Sequence, residues 1–226
     1  MEYQHIRQAV FLRRPNRFIA HILIDGKEQL CHVKNTGRCA ELLIPNRTIY
    51  VQQHNDSARK TQFSLIAVQK GERLINMDSQ IPNRVVEEWL RKGGLGKELT
   101  LLRPETKWGN SRFDFYGETE TSRFFMEVKG VTLEEDGIVR FPDAPTQRGI
   151  KHLEELCLCV KEGYEAYALF LIQMKGVRWF EPNWKTHADF GTAMEKAKKA
   201  GVHLLAMDCN VTPEHISAGD FVEIRL

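Results

Sequence analysis

Short runs that alternate apolar and polar side chains dominate the first third of the chain. Residues 17–24 (RFIAHILI) keep the two-residue period of a strand, Asp25-Gly26 supplies a tight turn, and residues 28–33 return as a hairpin partner. Beyond the compact turn Asn35-Thr36-Gly37-Arg38 come three more runs, residues 40–44 (AELLI), 47–52 (RTIYVQ) and 63–70 (FSLIAVQK). Five short strands in about eighty residues predict a small antiparallel β-barrel of the oligonucleotide-binding (OB) type. In the turn, Gly37 is able to take a positive φ and Asn35 to hydrogen-bond its own backbone. Its amides beside Arg38 suit a phosphate, although a plain turn has the same sequence.

The pattern changes at residues 81–83 (IPN), which divides the chain into 1–82 and 83–226. Asn83 reads as a helix N-cap, with Val85, Val86, Trp89 and Leu90 as the buried stripe and Gly93-Gly94 as the stop. Residues 99–104 read as a strand and 107–110 (KWGN) as a turn. Residues 111–130 (SRFDFYGETETSRFFMEVKG) then give two strands about a polar turn at 117–122. Phe113 and Phe115 share one face of the first strand and Arg112, Asp114 and Tyr116 the other. In the second strand Glu127 and Lys129 oppose Phe124, Met126 and Val128. An acidic turn at 134–137 follows, then a helix at 146–162 that buries Leu153, Leu156, Cys157 and Val160, with Arg148, Lys151, His152 and Glu155 to one side. Residues 164–174 form the continuous apolar run of a covered strand. A lysine-bearing helix at 190–200 and closing strands at 202–207 and 221–226 complete an α/β half with a mixed sheet. The chain as a whole is α/β (α+β).

At 226 residues, 42% hydrophobic and 27% charged, the composition is that of an ordinary globular protein, with no signal run and no apolar stretch of membrane-spanning length. Five cysteines without a CxxC pair point to a reducing cytoplasm and away from disulfides or zinc. The overall charge of +2 is unevenly spread: residues 1–82 carry +5 and the remainder −3. A basic barrel attracts polyanions such as DNA. Arg13, Arg14, Arg17, Phe18, Lys34, Asn35, Arg38 and Arg47 are the candidate groove residues; scattered cations on a structural barrel are the plainer reading.

If the apolar face of the 111–130 hairpin is buried, Asp114, Glu127 and Lys129 emerge together. Two adjacent carboxylates in a dry site repel unless a cation lies between them. Mg²⁺, or Mn²⁺ in its place, suits that position, because it takes oxygen ligands and keeps waters for chemistry. Lys129 would orient the attacking water or stabilise charge on a phosphate. Glu87 and Glu88 flank the preceding helix, with Glu88 the candidate further ligand. A cross-strand ion pair explains the same three residues without chemistry.

A helix, three strands with Asp on the second and Glu-x-Lys on the third, then a basic helix and a strand resemble the PD-(D/E)xK restriction-endonuclease-like core. That resemblance implies Asp114 and Glu127 as metal ligands, the Val128 carbonyl as a further one, and Lys129 as base or charge stabiliser. It also implies a polar residue of the next helix, Gln147 or Lys151, near the scissile phosphate, with Arg148 and Lys151 as DNA contacts. Here the aspartate lacks the preceding proline, so the first half of the motif is degenerate. Five longer segments, NTGRCAELL (35–43), Asn83-Arg84, RFDF (112–115), MEVKGVTL (126–133) and FPDAPTQRGIKHLEEL (141–156), resemble the sugar fermentation stimulation protein family. Membership implies a cytoplasmic DNA-binding protein associated with regulation of sugar (maltose) utilisation, with an OB-type barrel joined to a nuclease-like domain. Two readings follow: a metal-dependent nuclease that grips DNA through the barrel, or a DNA-binding transcription regulator without catalysis. No helix-turn-helix pattern supports the second, and no sugar-binding constellation supports a sensor. A homodimer is left open, and Asp143 reads as a helix cap.

Overall fold

The computed structural model describes residues 1–226 apart from Thr36 and Ser57. In chain order the elements are β1 Ile6–Asn16, β2 Ile19–Ile24, β3 Lys27–His32, β4 Thr48–Gln53, β5 Phe63–Lys70, β6 Arg73–Asn76 and α1 Ile81–Arg91. They continue with β7 Leu101–Trp108, β8 Ser111–Glu118, β9 Arg123–Val131, β10 Glu134–Glu135, β11 Ile138–Phe141 and α2 Gln147–Lys161. The last are β12 Glu165–Ile172, β13 Trp179–Pro182, α3 Trp184–Lys199, β14 His203–Val211 and β15 Ile216–Phe221.

The first five strands close on themselves. β1 pairs with β2 and β4, β2 with β3, β4 with β5, and two parallel pairs between β3 and β5 shut the barrel. That is the OB domain the strand spacing predicts, with two differences. Residues 40–44 are turns rather than a strand, since Leu42 and Leu43 both return hydrogen bonds to the Cys39 carbonyl. The extra strand is β1, whose pairing with β2 shifts register twice and whose sequence alternates poorly for that reason.

The second half holds a six-stranded sheet in the order β15-β14-β12-β9-β8-β7 and a small three-stranded one, β10-β11-β13. β9, β12 and β14 run parallel, while β7, β8 and β15 are antiparallel to their neighbours. α2 and α3 link the parallel strands and cover one face; α1 covers the other. β12 is buried from Ala166 to Ile172, as a strand covered on both faces must be. Thr146 caps α2, its hydroxyl accepting from Gly149 N at 3.0 Å. Asp143 is therefore not the cap. α1 begins two residues earlier than Asn83, where Asp78 accepts from Gln80 N at 3.0 Å and Pro82 occupies the first turn. Residues 221–226 do not form a closing strand; β14 pairs instead with β15, a tight return through Thr212–His215.

The barrel is fastened to the sheet by buried polar contacts. Asn76 N donates to Gln173 O at 2.9 Å, and Gln173 Nε2 returns bonds to the carbonyls of Asn76 and Asp78, both at 3.1 Å. Glu134, 2% exposed, accepts from Lys70 and Arg73 of the barrel at 2.7 Å each. Gly130 runs close beneath this seam: a methyl group there would lie 2.5 Å from Gln173 Oε1 and 2.8 Å from Pro82 Cγ. Gln173 is tied at its amide and has little room to retreat. Gly130→Ala is therefore expected to cost about 1–3 kcal/mol, read as a lower melting temperature. An unchanged melt would mean the seam gives way freely.

Candidate functional site

The β8–β9 ladder runs from Glu118↔Arg123 to Phe115↔Met126 and stops one residue before Asp114. There the Asp114 carboxylate takes over. Its Oδ2 accepts from Val128 N at 2.7 Å and its Oδ1 from Asn83 Nδ2 of α1, also at 2.7 Å. β8 turns at this point, opposite Glu105 with φ 52° in β7. Phe113 and Phe115 consequently do not share a face. Phe113 joins the core beneath α2 with Phe125 and Leu153, while Phe115 joins Val85 and Val86 of α1. Asn83 is thus a partner of the site rather than a cap.

Glu127 and Lys129 do share a face of β9, and Lys129 Nζ lies 2.5 Å from Glu127 Oε1. The same oxygen is in short contact with Nδ1 of His152, a buried residue on α2. Arg148 Nε, which can only donate, stands 3.4 Å from His152 Nε2. Ionised Glu127 can only accept, so His152 Nδ1–H is the donor to it, with Lys129 Nζ 3.4 Å from the same ring nitrogen. Glu127 Oε1 therefore serves two donors, and Glu127 Oε2 is buried with no partner among the described residues. Burial pushes the Glu127 carboxyl up, but the His152 hydrogen bond and the Lys129 ammonium overcome it and hold the group below its ordinary value. Burial, and then the Glu127 charge, raise Asp114 to about 6. One carboxylate is kept ionised and its neighbour resists ionising, a pattern common in functional sites.

A buried, unpartnered carboxylate oxygen is costly unless something cationic meets it. With Asp114 alongside, these oxygens fit a hard divalent cation. Among the described residues no group of three or more His, Cys, Asp or Glu converges as a ready ligand set. The donors at hand are two carboxylates and backbone or water oxygen.

Other expected site residues lie elsewhere. Glu88 bonds to Lys92 at 2.7 Å and to the N-terminal ammonium at 3.3 Å, on the outer side of α1. Gln147 lines a cleft with Ile150, Asp189 and Lys196 between α2 and α3, because one step of 100° along the helix separates its direction from that of Arg148 and His152. Lys151 reaches the Asn110 carbonyl at 3.4 Å, at the β7–β8 turn. Arg148 alone of the three borders the cluster.

In the barrel, Arg14 spends its guanidinium on four carbonyls, those of Gly37, Arg38, Arg17 and Asn35, at 2.6–2.9 Å. Arg47 bonds the Glu41 and Leu42 carbonyls at 2.8 and 2.9 Å. Both are braces rather than free phosphate donors. Arg13 pairs with Glu28 at 2.5 Å and Lys34 with Asp78 at 2.6 Å. Arg17 stacks over the exposed Phe18 ring, 5.6 Å from its centroid. Asn35 Oδ1 accepts from Gly37 N at 2.8 Å, as expected of that turn; Thr36 lies outside the described residues. At Gly37 a Cβ would lie 2.5 Å from Asp143 Oδ2, and that close approach favours glycine there. Asn35, Gly37 and Arg38 face Gly130, Thr132 and Asp143 across a cleft of about 500 Å³ between barrel and sheet. No helix among the described residues is long and apolar enough to cross a membrane.

Two family models match the chain. The one described as the sugar fermentation stimulation protein RE domain covers residues 80–215, and the one described as the SfsA N-terminal OB domain covers residues 12–77. A sugar fermentation stimulation protein homolog of Clostridium beijerinckii is 58% identical over 226 residues, covering all of both chains. One from Desulfitobacterium hafniense is 57% identical, covering all of this chain and 99% of the other. The solved structure of Pyrococcus furiosus SfsA in complex with Ca²⁺ is 26% identical with a TM-score of 0.89, covering 100% of this chain and 98% of that one.

Proposed function

The chain belongs to the sugar fermentation stimulation protein family, and from that footing we propose that it binds DNA and hydrolyses phosphodiester bonds with Mg²⁺ or Mn²⁺ held at Asp114 and Glu127. The observation that carries this reading is the buried, unpartnered Glu127 Oε2 beside an aspartate raised to about 6. The Ca²⁺ complex of the Pyrococcus furiosus relative supports a divalent cation in this fold. The barrel, residues 1–82, grips the DNA, and residues 83–226 do the chemistry. DNA as partner puts the protein in the cytoplasm.

A bound Mg²⁺ supplies Lewis acidity toward a phosphoryl oxygen and lowers the pKa of its waters. The remaining work falls to side chains already in position. Asn83 and Val128 N–H fix the Asp114 carboxylate in orientation. His152 and Lys129 lock Glu127 by one oxygen and so aim the other, as supporting groups around metal ligands do. Lys129 has three N–H donors, of which Glu127 takes one; the others are available to a phosphate oxygen on which charge develops. The Val128 carbonyl, between the two, is a further oxygen donor. Arg148 extends from His152 toward an adjacent phosphate.

A second reading, a DNA-binding regulator of sugar (maltose) utilisation genes without catalysis, is favoured by the two N–H donors already spent on Asp114. Incubation with labelled single- and double-stranded DNA, in Mg²⁺, Mn²⁺ or chelator, separates the two. The expected result is cation-dependent cutting, slowed about 10²–10³-fold in Lys129→Ala, with DNA retention unchanged. Retarded but uncut DNA in every lane leaves the binding reading.

A further inference from the structure

The barrel gathers a second group of basic side chains, at the seam where β3 and β5 close it through Cys31↔Phe63 and His32↔Ser64. His54, just after β4, sets Nε2 2.9 Å from Ser64 Oγ, and Arg59 of the same loop reaches that oxygen at 3.5 Å. Ser64 is fully buried, so its hydroxyl anchors both groups at the closure point. His32 stands on the other side of the seam with Lys34 two residues beyond. Burial, then the positive charges of Arg59 and Lys34, hold both imidazoles below their ordinary range.

The acids nearby are already engaged. Asp78 is bonded to Lys34 at 2.6 Å and to Gln80 N at 3.0 Å, and Asp56 accepts from Ala58 N at 2.9 Å. Arg59 has no ion pair among the described residues, whereas Arg7 and Arg13 are matched to Asp25 and Glu28 at 2.7 and 2.5 Å. An unpaired guanidinium set beside imidazole N–H donors, with no carboxylate to spare, is arranged for an anion. Chain connections also lead from the seam to the cleft. Lys34 leads directly into Asn35, which faces Gly130 there, and Asp78 leads into α1 and Asn83.

We propose that His32, His54 and Arg59 form a phosphate-binding site at the barrel seam, which takes a backbone phosphate of the same DNA whose scissile bond lies at Asp114, Glu127 and Lys129. This rests on the DNA reading above and adds to it a phosphate contact on the barrel.

Fluorescein-labelled single- and double-stranded oligonucleotides, titrated in chelator so that nothing is cut, test it with Arg59→Gln, Arg59→Glu and a distant charge-reversal control, Lys161→Glu. Arg59→Glu is expected to weaken binding about tenfold or more and Arg59→Gln less. Each lost contact should flatten the slope of log affinity against log salt by about one, with Lys161→Glu unchanged. Melting temperatures of the Arg59 variants should match the parent, since the side chain is exposed. Equal affinity and slope in the parent and both Arg59 variants would overturn the seam site while leaving DNA binding intact. A parent protein that retains neither DNA form would overturn the DNA reading and the seam site with it.

Discussion

Asp114→Asn is expected to abolish cation-dependent DNA cutting and, without metal, to raise the melting temperature. The two effects share one cause. Burial and the Glu127 charge lift Asp114 from the ordinary 3.8 to about 6, so the folded protein holds that proton more tightly than the unfolded chain does. The stability this provides is complete below 3.8 and is lost as pH rises through about 6. At neutral pH the ionised group is thus a liability of up to about 3 kcal/mol, which an uncharged amide does not carry. The new amide oxygen still accepts from Val128 N, and the Asn83 amide is free to turn its oxygen to the new NH₂. A gain of several degrees at pH 7.5, fading toward pH 4, is the expected melting profile in chelator. Added Mg²⁺ or Mn²⁺ should stabilise the parent and not the variant. A variant that melts lower at both pH values would show that the carboxylate's hydrogen bonds outweigh its charge.

Glu134→Ala should be the more damaging change to stability. Glu134 is buried beneath Lys70 and Arg73 and also accepts from Gly137 N. Burial pushes its carboxyl up, but the hydrogen bonds of Lys70 and Gly137 and the charges of Lys70 and Arg73 outweigh it and hold the group below its ordinary value. Its contribution is therefore present above about pH 4.5 and is lost as pH falls through the lower folded value. Breaking a buried pair costs about 3–5 kcal/mol. Lys70 and Arg73 remain 26% and 31% exposed and recover some hydration, which favours the lower end, about 3 kcal/mol. Melts at pH 7.5 should differ by roughly 10 °C and converge in acid. A loss below about 1 kcal/mol would reduce the contact to an ordinary surface pair.

The parts of the fold legible in the sequence are those written in local period and turn chemistry. The β8–β9 hairpin, α2 and the apolar β12 follow from spacing alone, and the OB barrel follows from evenly spaced short runs. β1 was hidden because its bulges break the alternation, and 40–44 looked like a strand because AELLI is apolar enough for a buried turn. The site was half legible. Asp114, Glu127 and Lys129 lie on one hairpin, where a two-residue period suffices to bring them together. Asn83 and His152 enter only through the docking of α1 and α2. Asn83 carried a local signal that pointed to capping instead. His152, one turn beyond Arg148 on the side of α2 away from its apolar stripe, offered the only hint. Arg14 and Arg47 show a different limit: residue type reveals a cation but not whether backbone carbonyls have already taken its donors.

The centre formed by Asp114 and its partners also has a history during folding. Asn83 to Asp114 spans 31 residues of chain, Asp114 to Val128 spans 14, and Glu127 to His152 spans 25. The Asp114 to Val128 contact closes with the hairpin, whereas the other two wait on longer loop closure and on a helix seating against the sheet. A nascent chain that has made its barrel and even its central hairpin still lacks α2, and with it the group that aims Glu127. The cluster is therefore complete only once α2 has been made and has docked.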